Sequence, residues 1–309
     1  MLDVFLRTLP FFIIIGLGFG AARSGFLPAS ATAVLTKFVF FFPLSAMLFR
    51  FAANLSIDEI FNVELMMAYL VATFATYGLA QLVAYRRKLS LPVAAVEAQC
   101  FATGNTGFLG LPMMAILFGE AAIGPMMLIV SIDMVVFSSL IVVLITIGRG
   151  QSFSPAGVWR ILRSVLTNPL IVSISAGLMW SAWALPMPAP MADFLNIMSG
   201  AATPGALFAI GASLAVKSTE RMQTAAWLSF GKLVVHPIAM AVCVLYLFPV
   251  DAFRAQVAIA AAALPAAGNI FMIAQYYGVA PQRASAAIFL STAASIVTLP
   301  LVIAWVSAL

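Results

Sequence analysis

The sequence predicts an all-α integral membrane protein: ten transmembrane helices, two of them interrupted, in two five-helix halves of inverted topology. Three observations carry this. The 309-residue chain is 64% hydrophobic and 8% charged, with a mean hydropathy of +1.12, whereas a soluble domain carries about 25% charged residues. Its apolar residues gather in ten runs, each near the roughly 20 residues a helix needs to cross a bilayer. Basic residues crowd into every second loop between those runs. The short alternating segments of an outer-membrane barrel are absent from the sequence.

The runs occupy residues 4–22, 33–52, 63–85, 92–118, 122–148, 166–184, 193–215, 224–248, 255–278 and 284–307. The first reads as a span and not as a cleavable signal. MLDVFLRTLP places no basic leader ahead of it, and it continues past signal-peptide length without a small-residue cleavage site. Cys100 and Cys243 both fall inside runs, where they read as buried packing residues, and their spacing suits no metal.

A net charge of +5 invites a nucleic-acid reading, but its distribution argues against one. With ten spans, the odd-numbered loops share one side of the membrane. They hold ten of the fifteen Lys and Arg residues: Arg23, Arg86, Arg87, Lys88, Arg149, Arg160, Arg163, Lys217, Arg221 and Arg283. The N-terminus and the even loops hold Arg7, Arg50 and Arg254, while Lys37 and Lys232 lie within spans. Cytoplasmic loops are the basic ones. The odd loops are therefore expected inside and both termini outside. Asp58, Glu59 and most other acidic residues fall on the outer side.

The longest inner loop, RGQSFSPAGVWRILRSV, divides the chain into five spans and five. The expected organisation is a first half at 1–150, a cytoplasmic inter-repeat loop at 151–165 and a second half at 166–309. An odd number of spans per half gives the halves opposite orientation, as in many secondary transporters. Internal similarity agrees: Pro43 in FFPLSAMLF and Pro204 in ATPGALFAI stand 161 positions apart, and Gly104-Asn105 and Gly268-Asn269 stand 164 apart.

The fourth run contains GNTGFLGLP at 104–112, and the ninth contains LPAAGNIF at 264–271. A helix interior disfavours glycine by about 1 kcal/mol and proline by about 3. In lipid, every backbone group released by a break must find another partner. Such breaks are tolerated where they face protein or a water-filled cavity, and paired breaks in corresponding positions point to a transport site. Two half-helix N-termini meeting there would bind an anion without a buried cation, because free N–H groups and the helix dipole both favour negative charge. Asn105 and Asn269 add side-chain groups that orient a carboxylate. The candidate substrate-binding residues are Gly104, Asn105, Thr106, Gly110 and Pro112, with Gly268, Asn269 and Ile270. The competing reading is a packing break, in which small residues let helices approach closely.

NTGFLGLP at 105–112, followed by LFGEAA, resembles the fourth-span signature of the auxin efflux carrier family, which includes plant PIN transporters and bacterial malonate and malate carriers. ALPAAGNIFMIAQYYGVAP at 263–281 resembles its ninth-span signature. The resemblance covers essentially the whole chain, and the short central loop looks like the bacterial branch. It implies fourth and ninth helices that cross at their breaks, a scaffold domain, a moving transport domain, elevator-type alternating access and commonly a homodimer. The family's crossover asparagine and proline match Asn105 and Pro112. In the ninth span the plant pattern has a proline where this chain has Ile270, a departure that leans away from auxin and toward small aliphatic carboxylates.

Other polar residues interrupt the spans. Asp133, in VSIDMVVFSS, either couples proton or cation movement to transport or is a structural carboxyl held by Ser131 or Ser138. Glu97 is expected near the fourth helix's inner end, reaching the interface. His236 follows Lys232 by four residues, so the two share a helix face, as a proton relay or as a structural lining. Lys232 is also a candidate for drawing anions into the cavity.

The expected function is transport of a small organic carboxylate across a bacterial inner membrane, with no cofactor, no nucleic acid and the lipid bilayer as environment. The coupling ion, H+ or Na+, stays open. An anion channel or facilitator is the first alternative. An intramembrane serine hydrolase using Ser213, in Gly211-Ala212-Ser213, with His236 is a remote one.

Overall fold

The computed structural model describes residues 2–54, 62–149, 159, 163, 166–167, 169–215 and 221–309. The loop expected at 151–165 lies outside the described residues except for Trp159 and Arg163, as do Asp58, Glu59, Arg160 and Lys217. Fifteen α-helices carry the described chain: α1 (Leu2–Arg23), α2 (Ala29–Phe41), α3 (Pro43–Ala52), α4 (Val63–Arg86), α5 (Leu91–Ala102), α6 (Leu111–Phe118), α7 (Ile123–Ile132), α8 (Ser138–Gly148), α9 (Pro169–Ala182), α10 (Ala189–Leu214), α11 (Met222–Phe230), α12 (His236–Val242), α13 (Ala252–Ala262), α14 (Asn269–Tyr276) and α15 (Pro281–Val306).

Among the described residues, six helical stretches are long and apolar enough to cross a membrane: Ala29–Ala52, Val63–Arg86, Glu120–Gly148, Ala189–Leu214, Met222–Leu247 and Pro281–Val306. Leu9–Arg23, Leu91–Ala102, Thr106–Phe118, Ile171–Ala182 and Ala252–Ala262 are shorter apolar helices. The chain is an all-helical integral membrane protein. Large apolar side chains such as Leu17, Ile116, Ile197 and Val297 face outward from these helices, as a lipid environment requires.

The two prolines matched at the sequence level behave differently. Pro43 ends one helix and begins the next: Phe42 leaves the α-helical backbone at φ −114° and ψ −72°, and Pro43 takes the first position of α3, where its missing N–H costs nothing. Pro204 lies inside the continuous α10. Ordinary side-chain caps start other helices, with Asn62 accepting from the N–H of Leu65 at 2.7 Å and Asp251 from that of Arg254 at 3.0 Å.

The helices pack as two groups. One comprises α1, α2, α3, α9 and α10, and the other comprises α4 to α8 and α11 to α15. Glycines bring α1 and α10 into backbone contact: a Cβ on Gly211 would stand 1.9 Å from the carbonyl oxygen of Ile15, and one on Gly18 would stand 2.0 Å from that of Phe208. Such small-residue seams are how membrane helices gain close packing without a hydrophobic driving force. The groups meet where α1 and α10 touch α6, α15 and the turn at 106–110. On that seam Phe108 stacks on Phe40, ring centroids 5.4 Å apart.

Candidate functional site

The two breaks pair with each other. α5 ends at Ala102, and Thr103 closes it by donating both its N–H and its hydroxyl to the carbonyl of Gln99, at 2.9 and 2.8 Å. The backbone then runs extended, and Gly104 and Ala266 form an isolated antiparallel β-bridge. The N–H of Asn105 donates to the carbonyl of Pro265 at 2.8 Å, and that of Ala267 to the carbonyl of Thr103 at 3.3 Å. The N–H of Ala266 donates to Ser291 Oγ at 3.1 Å. Backbone groups freed from one helix are thus satisfied by the other, which meets the demand that the membrane interior imposes.

Beyond the bridge the chain turns back into helix. The carbonyl of Asn105 accepts from the N–H groups of Leu109 and Gly110, at 3.2 and 2.8 Å, closing a wide π-turn over Thr106–Gly110. Pro112 follows within the first turn of α6, and Asn269 opens α14. Two half-helix N-termini therefore begin at the bridge.

The residues expected at the site divide by what surrounds them. Gly104 is a seat for a lysine: a Cβ there would stand 3.1 Å from Lys232 Cε and 3.3 Å from its Nζ. Gly110 is a packing position, since a Cβ would meet Leu264 Cδ1 at 2.4 Å. Asn105 is 4% exposed, and Pro112 and Ile270 are buried. A Cβ on Gly268 would meet open space, with nothing within 4 Å. Beside it, the side-chain oxygen of Asn269 is buried and lacks a hydrogen-bond partner among the described residues. Thr106 is turned to a different task, donating to Asp133.

Asp133 is the hub of a buried network. Its Oδ1 accepts from the hydroxyl of Tyr69 and its Oδ2 from that of Thr106, both at 2.8 Å. The partners expected from its own helix go elsewhere: Ser131 donates to the carbonyl of Met127, and Ser138 to the backbone carbonyl of Asp133. Those nearby serines are on the wrong side of the helix, and the carboxyl looks instead toward α4 and the first break. Lys232 and His236 do share a face, with Lys232 Nζ 3.1 Å from His236 Nδ1. Lys232 Nζ also donates to the carbonyl of Ala262, at 2.5 Å, and His236 Nε2 pairs with Thr73 Oγ1 at 3.1 Å. Asp133 and Lys232 each open or occupy a π-turn, at Asp133–Phe137 and Gly231–Val235, the irregularity that recurs at functional positions in helices.

A family model described as membrane transport protein matches residues 3–303. The chain belongs to that family, the auxin efflux carriers. A "Putative malonate transporter" of Rhizobium meliloti (strain 1021) is 29% identical over 294 residues, covering 94% of this chain and 92% of the relative. An "Uncharacterized transporter" of Methanothermobacter thermautotrophicus is 27% identical over 198 residues, covering 64% of this chain and 63% of that protein. A carrier family suits a site built from paired helix breaks.

Within this family member the hydrolase alternative finds no geometry. Ser213 is exposed and donates to the carbonyl of Ile210 at 2.7 Å, while both ring nitrogens of His236 are engaged by Thr73 and Lys232. Glu97 is 2% exposed and clasped by Arg87 at 2.8 Å and Arg283 at 2.5 Å, which tie α5 to the end of α4 and the start of α15. Tyr69 and Thr73 were not singled out by sequence reasoning. The available signal was their i, i+4 spacing, which repeats Lys232 and His236 at an offset of 163 positions (232 − 69 and 236 − 73).

Proposed function

We propose that this family member is a secondary transporter of small organic carboxylates, and that the carboxylate binds where the half-helices opening at Thr106 and Asn269 converge. The observation that carries this reading is the Gly104–Ala266 bridge, because it brings the two half-helix N-termini to one place. Free N–H groups and the positive ends of the two dipoles favour an anion there. Asn105 and Asn269 each carry a side-chain amide N–H₂ that can donate to it, whereas the unpartnered Asn269 oxygen beside the open space at Gly268 is an acceptor that takes a donor and not the carboxylate itself. The aliphatic Ile270 and the malonate named for the Rhizobium relative favour a small dicarboxylate.

The architecture follows the same reading. All ten apolar runs cross a bacterial inner membrane, in halves 1–150 and 166–309 of inverted orientation, with both termini periplasmic. The matched pairs Tyr69–Thr73 and Lys232–His236, alike in spacing and offset, support an internal repeat. The group holding the breaks moves as the transport domain against α1, α2, α3, α9 and α10 as scaffold, sliding along the Phe108–Phe40 seam. Asp133, Lys232 and His236 form the polar backing of the site. The functional unit is a homodimer.

A thermal-stability screen of purified protein against mono- and dicarboxylates tests the reading. A true ligand at about 100 times its dissociation constant stabilises the native state by roughly 2.7 kcal/mol. Malonate or a close dicarboxylate is expected to give the largest shift, and a screen in which no carboxylate shifts the transition contradicts the proposal.

A further inference from the structure

Each broken helix has two ends at the crossing, and only the N-terminal ends attract anions. The C-terminal ends present free carbonyls and negative partial charge, and in transporters built on broken helices such ends coordinate a coupling cation. Here that position is filled from within. Lys232 is 0% exposed, and its ammonium donates at 2.5 Å to the carbonyl of Ala262, the last residue of α13. It lies against the other break as well, since a Cβ on Gly104 would stand only 3.3 Å from Nζ.

The remaining partners complete a cation's coordination. With Lys232 as an ammonium, which has donors only, His236 presents the lone pair of Nδ1 to Nζ and carries its proton on Nε2, which then donates to Thr73 Oγ1. Asp133 is the acidic member of the same buried region, its carboxyl taken up by Tyr69 and Thr106. A buried ammonium without such partners would be strongly destabilising.

We propose that Lys232 is a tethered cation that takes the place of a coupling metal ion at the crossing, so that carboxylate transport needs no sodium. This rests on the transport reading above. It assigns Lys232 to the carbonyl side of the breaks, as a positioning residue that neutralises the α13 terminus, and not to the substrate anion. Removing the side chain leaves the Ala262 carbonyl and His236 Nδ1 without the donor they share, a place for a sodium ion or a small alkylammonium.

The test compares wild-type protein and Lys232→Ala in two measurements. Malonate uptake by wild-type proteoliposomes is expected to be equal in sodium, potassium and N-methylglucamine buffers. In Lys232→Ala uptake falls by about tenfold or more, one decade being about 1.4 kcal/mol, and methylammonium or sodium restores part of it. Separately, methylammonium or sodium raises the melting temperature of purified Lys232→Ala in a concentration-dependent way, as binding to the native state alone must, and leaves the wild type unmoved. That second measurement needs no substrate, so it decides the inference even if no carboxylate is taken up, an outcome that sinks only the transport reading. Lys232→Gln, which keeps length without charge, replaces Lys232→Ala if the latter does not fold. Wild-type uptake that requires sodium overturns the inference, as does a folded variant that neither cation stabilises.

Discussion

The N–H of Asn105 donates to the carbonyl of Pro265 at 2.8 Å, across 160 residues of sequence. The two helix breaks are therefore a single structural unit, and a change at one is felt at the other. Gly104 sits in that unit with Lys232 Nζ 3.3 Å and the Ala261 carbonyl oxygen 3.4 Å from where its Cβ would be.

Gly104→Ala is expected to destabilise the protein by about 1–3 kcal/mol, the usual cost of overpacking, by pushing Lys232 off the Ala262 carbonyl. Denaturation in detergent measures this. Wild-type stability in the variant would mean that the lysine has slack the geometry does not show.

Asp133→Asn weakens the buried acceptor that takes the hydroxyls of Tyr69 and Thr106 and removes the acidic group of the region that holds Lys232. The single variant loses about 1–3 kcal/mol of stability. Combined with Lys232→Met, it should recover part of that loss, with a coupling of about 0.5–3 kcal/mol in a double-mutant cycle. The variant should also change the pH dependence of uptake while keeping substrate preference, because Asp133 faces Tyr69 and Thr106 and not the open space at Gly268. Additive losses, with an unchanged pH profile, would make the cluster a packing feature.

At the loop before α13, Asp251 caps the helix and pairs with Arg254 at 2.7 Å. Burial pushes its carboxyl up, but the hydrogen bonds from the Arg254 N–H and guanidinium outweigh that and hold it below the usual carboxylate range. A depressed native value means that the unfolded chain takes up the proton first. The stabilisation is then complete above the unfolded value of about 4 and disappears as pH falls through the native one. Asp251→Ala should cost about 0.5–2 kcal/mol at neutral pH, as lost caps do. The deficit should shrink below about pH 4, and a difference constant with pH would remove the electrostatic part of the account.

The orientation proposed from the basic loops is checked by a reporter. Alkaline phosphatase fused after Leu309 folds only outside the cytoplasm, so it should be active. A stable but inactive fusion would contradict either the ten-span reading or its orientation.

The sequence displayed the membrane class and the breaks because both are composition effects: apolar runs of bilayer length, and glycine and proline where a helix tolerates neither. It placed Asn105 and Asn269 at the breaks for the same reason. It misassigned the partners of Asp133, because Ser131 and Ser138 are near in sequence while Tyr69 and Thr106 arrive from other helices. Asp133 and Lys232 themselves stand in π-turns, at Asp133–Phe137 and Gly231–Val235, and no residue pattern announces them. Gly104 was read as helix-breaking and proves also to be space for Lys232, a role visible only when α11 and the turn at Gly231–Val235 pack beside α5. Glu97 was placed by its position near a helix end, whereas two arginines from neighbouring elements decide its burial.

The most direct measurement of the central claim is carboxylate affinity in Asn105→Ala and Asn269→Ala, by calorimetry with the acid that best stabilises the wild type. Each asparagine supplies a hydrogen bond to a charged group, worth about 1.5–3 kcal/mol. Each variant should therefore bind about 10- to 100-fold more weakly, with the fold and melting behaviour kept. If both variants are folded and bind the carboxylate with wild-type affinity, the half-helix crossing is a packing device and the site lies elsewhere.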